Sequence, residues 1–306
     1  MTELIGILPV LPTPFLPEGG VDVVAMADLV EFSIESEVAG VVFPGFASEV
    51  EMLTPQERES LLEVVAQKAH GKIHVIAGAS AKTVAEVIDH GRVAAKLGIN
   101  LLMIQAPKEL GSEFEAVRNF FSEITTKLPD AKIILQNAPA PRGSDLSPKT
   151  ILELARSFSQ ICYVKEETLP AGPAISEIMA QRPESLKGVI GGGGARYILD
   201  EYERGACAAM PAIEIADLHV EMDRAWRSGN AKDARALYVK TLPLLVLQAV
   251  YRMRLTKLTM MERGILKNAG VRAPTPEVDA IAAADIRLNL QELGIGKSTQ
   301  MQGAAE

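Results

Sequence analysis

The chain has 306 residues, 48% of them hydrophobic and 5% aromatic, and a formal net charge of -8. That length and apolar content suffice for a large core, either as two domains or as one α/β barrel. The acidic balance, with Lys and Arg scattered, excludes a nucleic-acid partner, whose phosphates need a basic face, and no apolar run reaches membrane-spanning length.

Leu4 to Leu11 reads as a first buried strand, followed by the turn-rich Pro12-Thr13-Pro14-Phe15 and Pro17-Glu18-Gly19-Gly20. Asp22 is an N-cap for a helix carrying Leu29, Val30 and Ile34, which Gly40 stops before Val41-Val42-Phe43. A cadence then begins. Thr54-Pro55-Gln56-Glu57 is a capping box with proline at the first helical position, followed by a strand at Ile73 to Gly78. Thr83 to Glu86 opens the next helix in the same way, and Leu101 to Ile104 is the next strand. Ser112 to Glu115 forms a third box, Ile133 to Leu135 a strand, and Ser147-Pro148 a further helix start. Cys162 to Lys165 is a strand, Ile175 to Ala180 a short helix, and Gly188-Val189-Ile190 a strand running into Gly191 to Gly194. A helix at Tyr197 to Glu203 and a strand at Ala206 to Met210 complete the series.

Eight strand–helix units with short apolar strands predict a parallel sheet closed into a (β/α)8 TIM barrel, residues 1–225. An open doubly wound sheet would carry a glycine-rich loop after its first strand, and none stands there. Residues 226–306 read as helices appended to the barrel, including Ala231 to Met253 and Glu277 to Leu293, with a loose polar tail after Gly294. The stripe Leu242 to Val250 is expected in the core or a subunit interface, and Arg252 and Arg254 on a solvated or interface face. Gly296-Lys297-Ser298 has no upstream glycine and is a chance likeness to a phosphate loop. Cys162 and Cys207 sit in apolar runs and read as reduced core residues of a cytoplasmic protein. His70, His74, His90 and His219 are isolated, so no metal site is expected. No signal peptide is expected from the N-terminal residues.

The chemistry concentrates at Tyr163-Val164-Lys165-Glu166-Glu167-Thr168. Lys165 closes an apolar run instead of sitting among polar residues. A lysine forced into such a site loses its charge more easily and can attack a ketone. Strand alternation sets Lys165 and Glu167 on one face and Glu166 on the other. An amine nucleophile and a carboxylate base then share a pocket at the C-terminal ends of the strands, where barrel active sites lie.

Residues at the other strand ends strengthen this reading: Thr13-Pro14-Phe15, Gly45 to Glu49 with Leu53-Thr54 and Glu57-Arg58, Ala77-Gly78, and Asn137 with Pro139. Together with Lys165, in this order and spacing, they resemble the dihydrodipicolinate synthase / N-acetylneuraminate lyase family of class I (Schiff-base) aldolases and dehydratases. The resemblance implies a barrel with C-terminal helices, a homotetramer, and a lysine imine with a 2-keto acid such as pyruvate and no other cofactor. The departures are specific. The family's Gly-Thr-Thr-Gly-Glu reads Gly45, Phe46, Ala47, Ser48, Glu49, and its relay tyrosine before Asn137 is Gln136. Lys108 replaces a second tyrosine, and Arg142 stands one residue from the family's carboxylate-binding arginine.

These substitutions count against dihydrodipicolinate synthase and point to a 2-keto-3-deoxy sugar acid dehydratase or pyruvate-dependent aldolase. The synthase, and a non-catalytic keto-acid-binding relative, are the alternatives. The catalytic candidates are Lys165 as nucleophile, Glu167 as base and Gln136 orienting a substrate oxygen. Backbone amides around Phe46, Ala47 and Ser48 are expected to bind the substrate carboxylate, with Ser48 or a water assisting the base. Asn137, Gly191, Gly192 and Met210 complete the expected substrate contacts; the glycines would let substrate approach the backbone. Glu49 is expected to serve structure, as its counterpart does in the family.

Overall fold

The computed structural model describes residues 3–296; Lys297, Ser298 and the end of the polar tail lie outside the described residues. Eight parallel strands alternate with helices: β1 (Gly6–Ile7), β2 (Gly40–Phe43), β3 (His74–Gly78), β4 (Leu101–Gln105), β5 (Lys132–Asn137), β6 (Ile161–Glu166), β7 (Gly188–Gly191) and β8 (Ala208–Ala209). They pair in the order β1-β8-β7-β6-β5-β4-β3-β2. A parallel bridge between Val10 and Val42, with Leu11 N–H donating to Val42 O and Val42 N–H to Pro9 O, brings the two ends together. The chain is a (β/α)8 barrel. The first strand is regular over only two residues, although the segment from Leu4 to Leu11 is nearly all buried.

The helices are α1 (Val23–Glu35), α2 (Pro55–Ala69), α3 (Val84–Lys96), α4 (Phe114–Lys127), α5 (Pro148–Ser157), α6 (Ala171–Gln181), α7 (Ile198–Glu203) and α8 (Ala216–Arg227). Asp22, Thr54, Thr83 and Ser147 cap α1, α2, α3 and α5 through their side chains. Each such cap is worth about 1 kcal/mol. The third box does not form. Helix α4 starts after Glu113 without a side-chain cap, because Gly111 in the left-handed region turns the chain just before Ser112.

Two apolar layers follow from strand alternation. Leu8, Val42, Met103, Ile134 and Ile190 fill the barrel interior, and Val41, Leu102, Ile133, Val164 and Val189 pack outward against the helices. Three helices follow the barrel: α9 (Ala231–Tyr251), α10 (Met253–Glu262) and α11 (Ala280–Glu292). The continuous helix expected from Ala231 to Met253 is broken at Arg252, whose φ of 48° and ψ of -121° end α9 and start α10. Leu244, Leu245, Leu255, Ile286 and Leu290 form a core of their own among these helices.

The segment after α10 is stitched to the barrel mouth. Lys257 and Glu49 form a fully buried ion pair at 2.5 Å. Glu49 Oε2 also accepts from the Arg272 and Ala273 N–H groups, and Lys257 Nζ donates to Gly270 O. Phe15 lies under both cations, 4.2 Å from Lys257 Nζ and 4.3 Å from the Arg272 guanidinium carbon. Glu49 therefore serves structure.

Candidate active site

Lys165 stands near the end of β6, one position above the inward-facing Tyr163 layer, and is 5% exposed. Its Nζ lies 3.2 Å from Glu167 Oε1. The register pairs Lys165 with Gln136 on β5 and with Ile190 on β7, so a polar layer tops an apolar one. Gln136 Nε2 donates to Glu167 Oε2 at 2.6 Å. Burial pushes the Glu167 carboxyl up, but Lys165, the Gln136 donor and Arg142 outweigh it and hold the group below its usual value. One N–H of the Gln136 amide, expected on a substrate oxygen, is thus taken by Glu167.

Glu166 points the other way, as alternation requires. Its carboxylate accepts from Asn137 Nδ2 at 2.9 Å and from the Thr168 N–H and hydroxyl. Asn137 also donates to Leu146 O and accepts from Leu146 N–H, which uses its whole amide. It is a brace between β5 and the following loop, on the face away from Lys165, and not the substrate contact that was expected. Gln136 and Asn137 are consecutive on one strand, so only one of them can face inward.

The glycine run makes room for two acids. A Cβ on Gly192 would sit 2.3 Å from Glu167 Cγ, and one on Gly191 would sit 2.0 Å from Glu201 Oε2. Glycine at 192 thus makes the room in which Glu167 lies beside Lys165. Glu201, on α7 behind β7, is buried with Oε2 unpartnered, and burial with the nearby Asp200 and Glu167 pushes it up to about 8. Gly193 and Gly194 adopt the left-handed region, turning the chain into α7.

Across the barrel, β2 ends in a 3-10 turn over Phe46–Ser48. Ser48 is fully buried. Its hydroxyl accepts from Gly45 N–H and donates to Leu11 O, and Thr13 Oγ1 donates to Ser48 O at 2.6 Å. That hydroxyl is a pin for the turn and is not free to assist the base. The Ser48 N–H donates to Gly45 O. The Phe46 and Ala47 N–H groups open the turn and have no acceptor within it, so they are the amides left to meet a carboxylate. Met210, 3% exposed, belongs to the cluster that fills the barrel interior, and its N–H donates to Gly191 O.

The dihydrodipicolinate synthetase family matches residues 3–293. The chain belongs to that family. Its relatives include the L-2-keto-3-deoxyarabonate dehydratase of Azospirillum brasilense, 28% identical over 92% of each chain. The 4-hydroxy-tetrahydrodipicolinate synthase of Chlorobium phaeobacteroides is 31% identical over 74% of this chain and 76% of the relative. Among solved structures, dihydrodipicolinate synthase from Rhodopseudomonas palustris superposes with a TM-score of 0.87 at 25% identity, covering 94% of this chain and 97% of that one. The family's members are lyases, and so is this chain.

The residues that carry the dihydrodipicolinate synthetase family resemblance are largely scaffold here. Thr13 and Phe15 hold the β2 turn and the stitched segment, Glu57 binds the Arg272 guanidinium through both oxygens, and Arg58 donates to Gly78 O. Three arginines went unrecognised as neighbours. The Arg142 and Arg252 guanidinium carbons lie 5.6 and 5.2 Å from the Phe46 ring centre, and Arg196 adds its charge beside them. Arg252, expected on a solvated or interface face, is at the barrel mouth. Its placement depends on the break between α9 and α10, which no glycine or asparagine announces. Lys108 is exposed. Among the described residues no group of three or more His, Cys, Asp or Glu side chains could hold a metal ion, and no helix is long and apolar enough to cross a membrane.

Proposed function

We propose that the chain is a class I lyase that forms an imine between Lys165 and a 2-keto acid, and that it dehydrates a 2-keto-3-deoxy sugar acid. The observation that carries this is the buried Lys165 Nζ at 3.2 Å from Glu167 Oε1, at the C-terminal end of a barrel strand. Glu167 takes a proton from Lys165, and the free amine adds to C2 of the substrate. Glu167 hands that proton to the hydroxyl of the adduct, which leaves as water and gives the protonated imine, while the Phe46 and Ala47 N–H groups hold the C1 carboxylate. The protonated imine draws electrons from C3, and Glu167 removes a proton there. The resulting enamine expels the C4 hydroxyl as water, with Glu167 returning the proton. Water then hydrolyses the imine and frees Lys165, so the net change is the loss of one water.

Gln136 supports this reading over the synthase. Its amide cannot relay protons as a tyrosine does, and its nitrogen is committed to Glu167. The synthase remains the second reading because relatives of that name match over most of the chain.

Borohydride reduction with pyruvate, followed by intact mass and peptide mapping, is the test. A pyruvate-sized adduct on Lys165, lost in Lys165→Ala, is expected. An adduct that persists in Lys165→Ala sinks the assignment. Turnover of 2-keto-3-deoxy acids with one water lost supports the dehydratase, and condensation of pyruvate with aspartate semialdehyde supports the synthase. Trapping without any turnover supports a keto-acid-binding relative.

A further inference from the structure

The barrel mouth holds more positive charge than its surroundings neutralise, although the chain as a whole is acidic. Arg142 follows β5, Arg196 follows β7, and Arg252 sits at the break between α9 and α10. Each comes from a different element, yet Arg142 and Arg252 both lie over the half-exposed Phe46 ring, and Arg196 adds its charge to theirs. Among the described residues none of the three forms an ion pair. Other arginines of the same C-terminal region do: Arg254 with Glu277, Arg263 with Asp217 and Arg272 with Glu57. Like charges brought together without ion pairs of their own repel, and an anion that joined them would relieve that repulsion.

The backbone positions of these arginines are fixed, and the Arg196 side chain is tethered. Arg142 O accepts from Gln105 Nε2 at 3.0 Å, and its N–H donates to Pro139 O. Arg196 Nη1 donates to Gln248 Oε1 at 3.4 Å, and Arg196 O accepts from the Tyr238 hydroxyl. Arg252 reaches the mouth only because its own backbone leaves the helix in the left-handed region. The carboxyls nearby do little to compensate. Glu167 is paired with Lys165, burial holds Glu214 above its usual range, and Glu201 is pushed up to about 8. Burial lowers Arg252 from its ordinary value, and the charges of Arg142 and Arg196 add to that push.

We propose that Arg142 and Arg252 beside Phe46, joined by the charge of Arg196, form a second anion subsite at the mouth, so that the preferred 2-keto acid carries a carboxylate or phosphate at the end remote from its keto group. This rests on the imine reading. With C2 on Lys165 and C1 on the Phe46 and Ala47 amides, the remaining carbons run outward along the Phe46 ring. Guanidinium forks match carboxylate and phosphate oxygens, which a neutral terminal hydroxyl does not offer. The charge cluster at the mouth also draws such dianions inward.

The test is borohydride trapping against concentration for two pairs of keto acids. The first pair is 2-oxoglutarate and its uncharged isostere 5-methyl-2-oxohexanoate. The second is a 2-keto-3-deoxy sugar acid and its terminal phosphate ester. In the wild type the charged member of at least one pair is expected to reach half-trapping at about tenfold lower concentration; which pair separates distinguishes carboxylate from phosphate. The ratio should fall toward one in Arg252→Gln and in Arg196→Gln, and in the wild type as salt rises. Wild-type ratios near one for both pairs, or a preference surviving both substitutions and high salt, would overturn the proposal. If no keto acid is trapped, the imine reading falls by itself. Calorimetry with glutarate against butyrate then decides the subsite: tighter glutarate binding that weakens in either variant supports it, and equal binding overturns it.

Discussion

Two lysine–glutamate pairs lie at the mouth of one barrel, and they are built for opposite ends. Lys257 and Glu49 are both wholly buried, and partners occupy every side of the pair: Gly270 O on the lysine, two N–H groups on the glutamate. Lys165 and Glu167 stand at 3.2 Å, with side chains 6% and 13% exposed, and Gln136 is the glutamate's other hydrogen-bond partner. The first pair has no room for a third molecule. The second keeps its lysine free of other hydrogen bonds among the described residues, so a ketone can replace the carboxylate as the lysine's neighbour. A buried ion pair becomes structural or reactive according to what fills its remaining hydrogen-bonding positions.

Glu167→Gln tests the reactive pair and carries the largest expected effect. Turnover should fall by about a hundredfold to ten-thousandfold. If Glu167→Gln turned over normally while Lys165→Ala did not, the base would lie elsewhere. The acid limb of the wild-type rate should fall below the ordinary glutamate value of 4.5, because Lys165 and Gln136 more than offset the upward push of burial. The same depression stabilises the fold above the unfolded carboxyl's pKa, a contribution lost as pH falls through the folded one.

Lys257→Met tests the sealed pair. It leaves Glu49 buried with only its two backbone donors, and unfolding by denaturant should show a loss of about 3–5 kcal/mol. A loss close to zero would mean that water reaches Glu49 and that the contrast between the pairs is false.

His219 extends the contrast to a buried base with no partner, since both ring nitrogens lack a hydrogen bond. Burial lowers it from 6.5 to about 4, against a smaller upward pull from Asp217. The unfolded chain therefore binds a proton that the folded one refuses between those values, and stability falls as pH drops from 6.5 toward 4. The loss is on the order of 3 kcal/mol. His219→Leu should flatten that slope in unfolding experiments run across the window.

Gly192→Ala is the mildest change. Its methyl would meet Glu167 Cγ at 2.3 Å and move the carboxylate off Lys165. A drop of about tenfold in turnover with the lysine adduct still trappable is expected; unchanged turnover would mean that Glu167 acts from another rotamer.

The barrel was legible because its signals are local. Capping boxes at Thr54 and Thr83, short apolar strands and glycine stops recur in order, and each has a direct structural counterpart. Within the site, alternation along β6 separated Lys165 and Glu167 from Glu166. The same rule, applied to Gln136 and Asn137, separates them too, yet Asn137 was assigned from its place in a family motif. Ser48 illustrates a different loss. Nothing in Phe46-Ala47-Ser48-Glu49 reveals that the hydroxyl is claimed by Leu11 and Gly45, because those bonds depend on how the first two strands close. Arg196 and Arg252 were illegible for a similar reason. Their meeting depends on α9 ending over the mouth, and the residues from Tyr251 to Met253 read as continuing helix.

Glu49 meets Lys257 across 208 positions of sequence, and its other two donors come from Arg272 and Ala273. During synthesis, the turn that carries Phe46 and Ala47 therefore waits for nearly the whole polypeptide before its acid is neutralised. A nascent chain can close its barrel first, but the turn is locked only by residues made after the barrel. Proteolytic trimming ahead of residue 257 would take away the partners of Glu49 along with the helices.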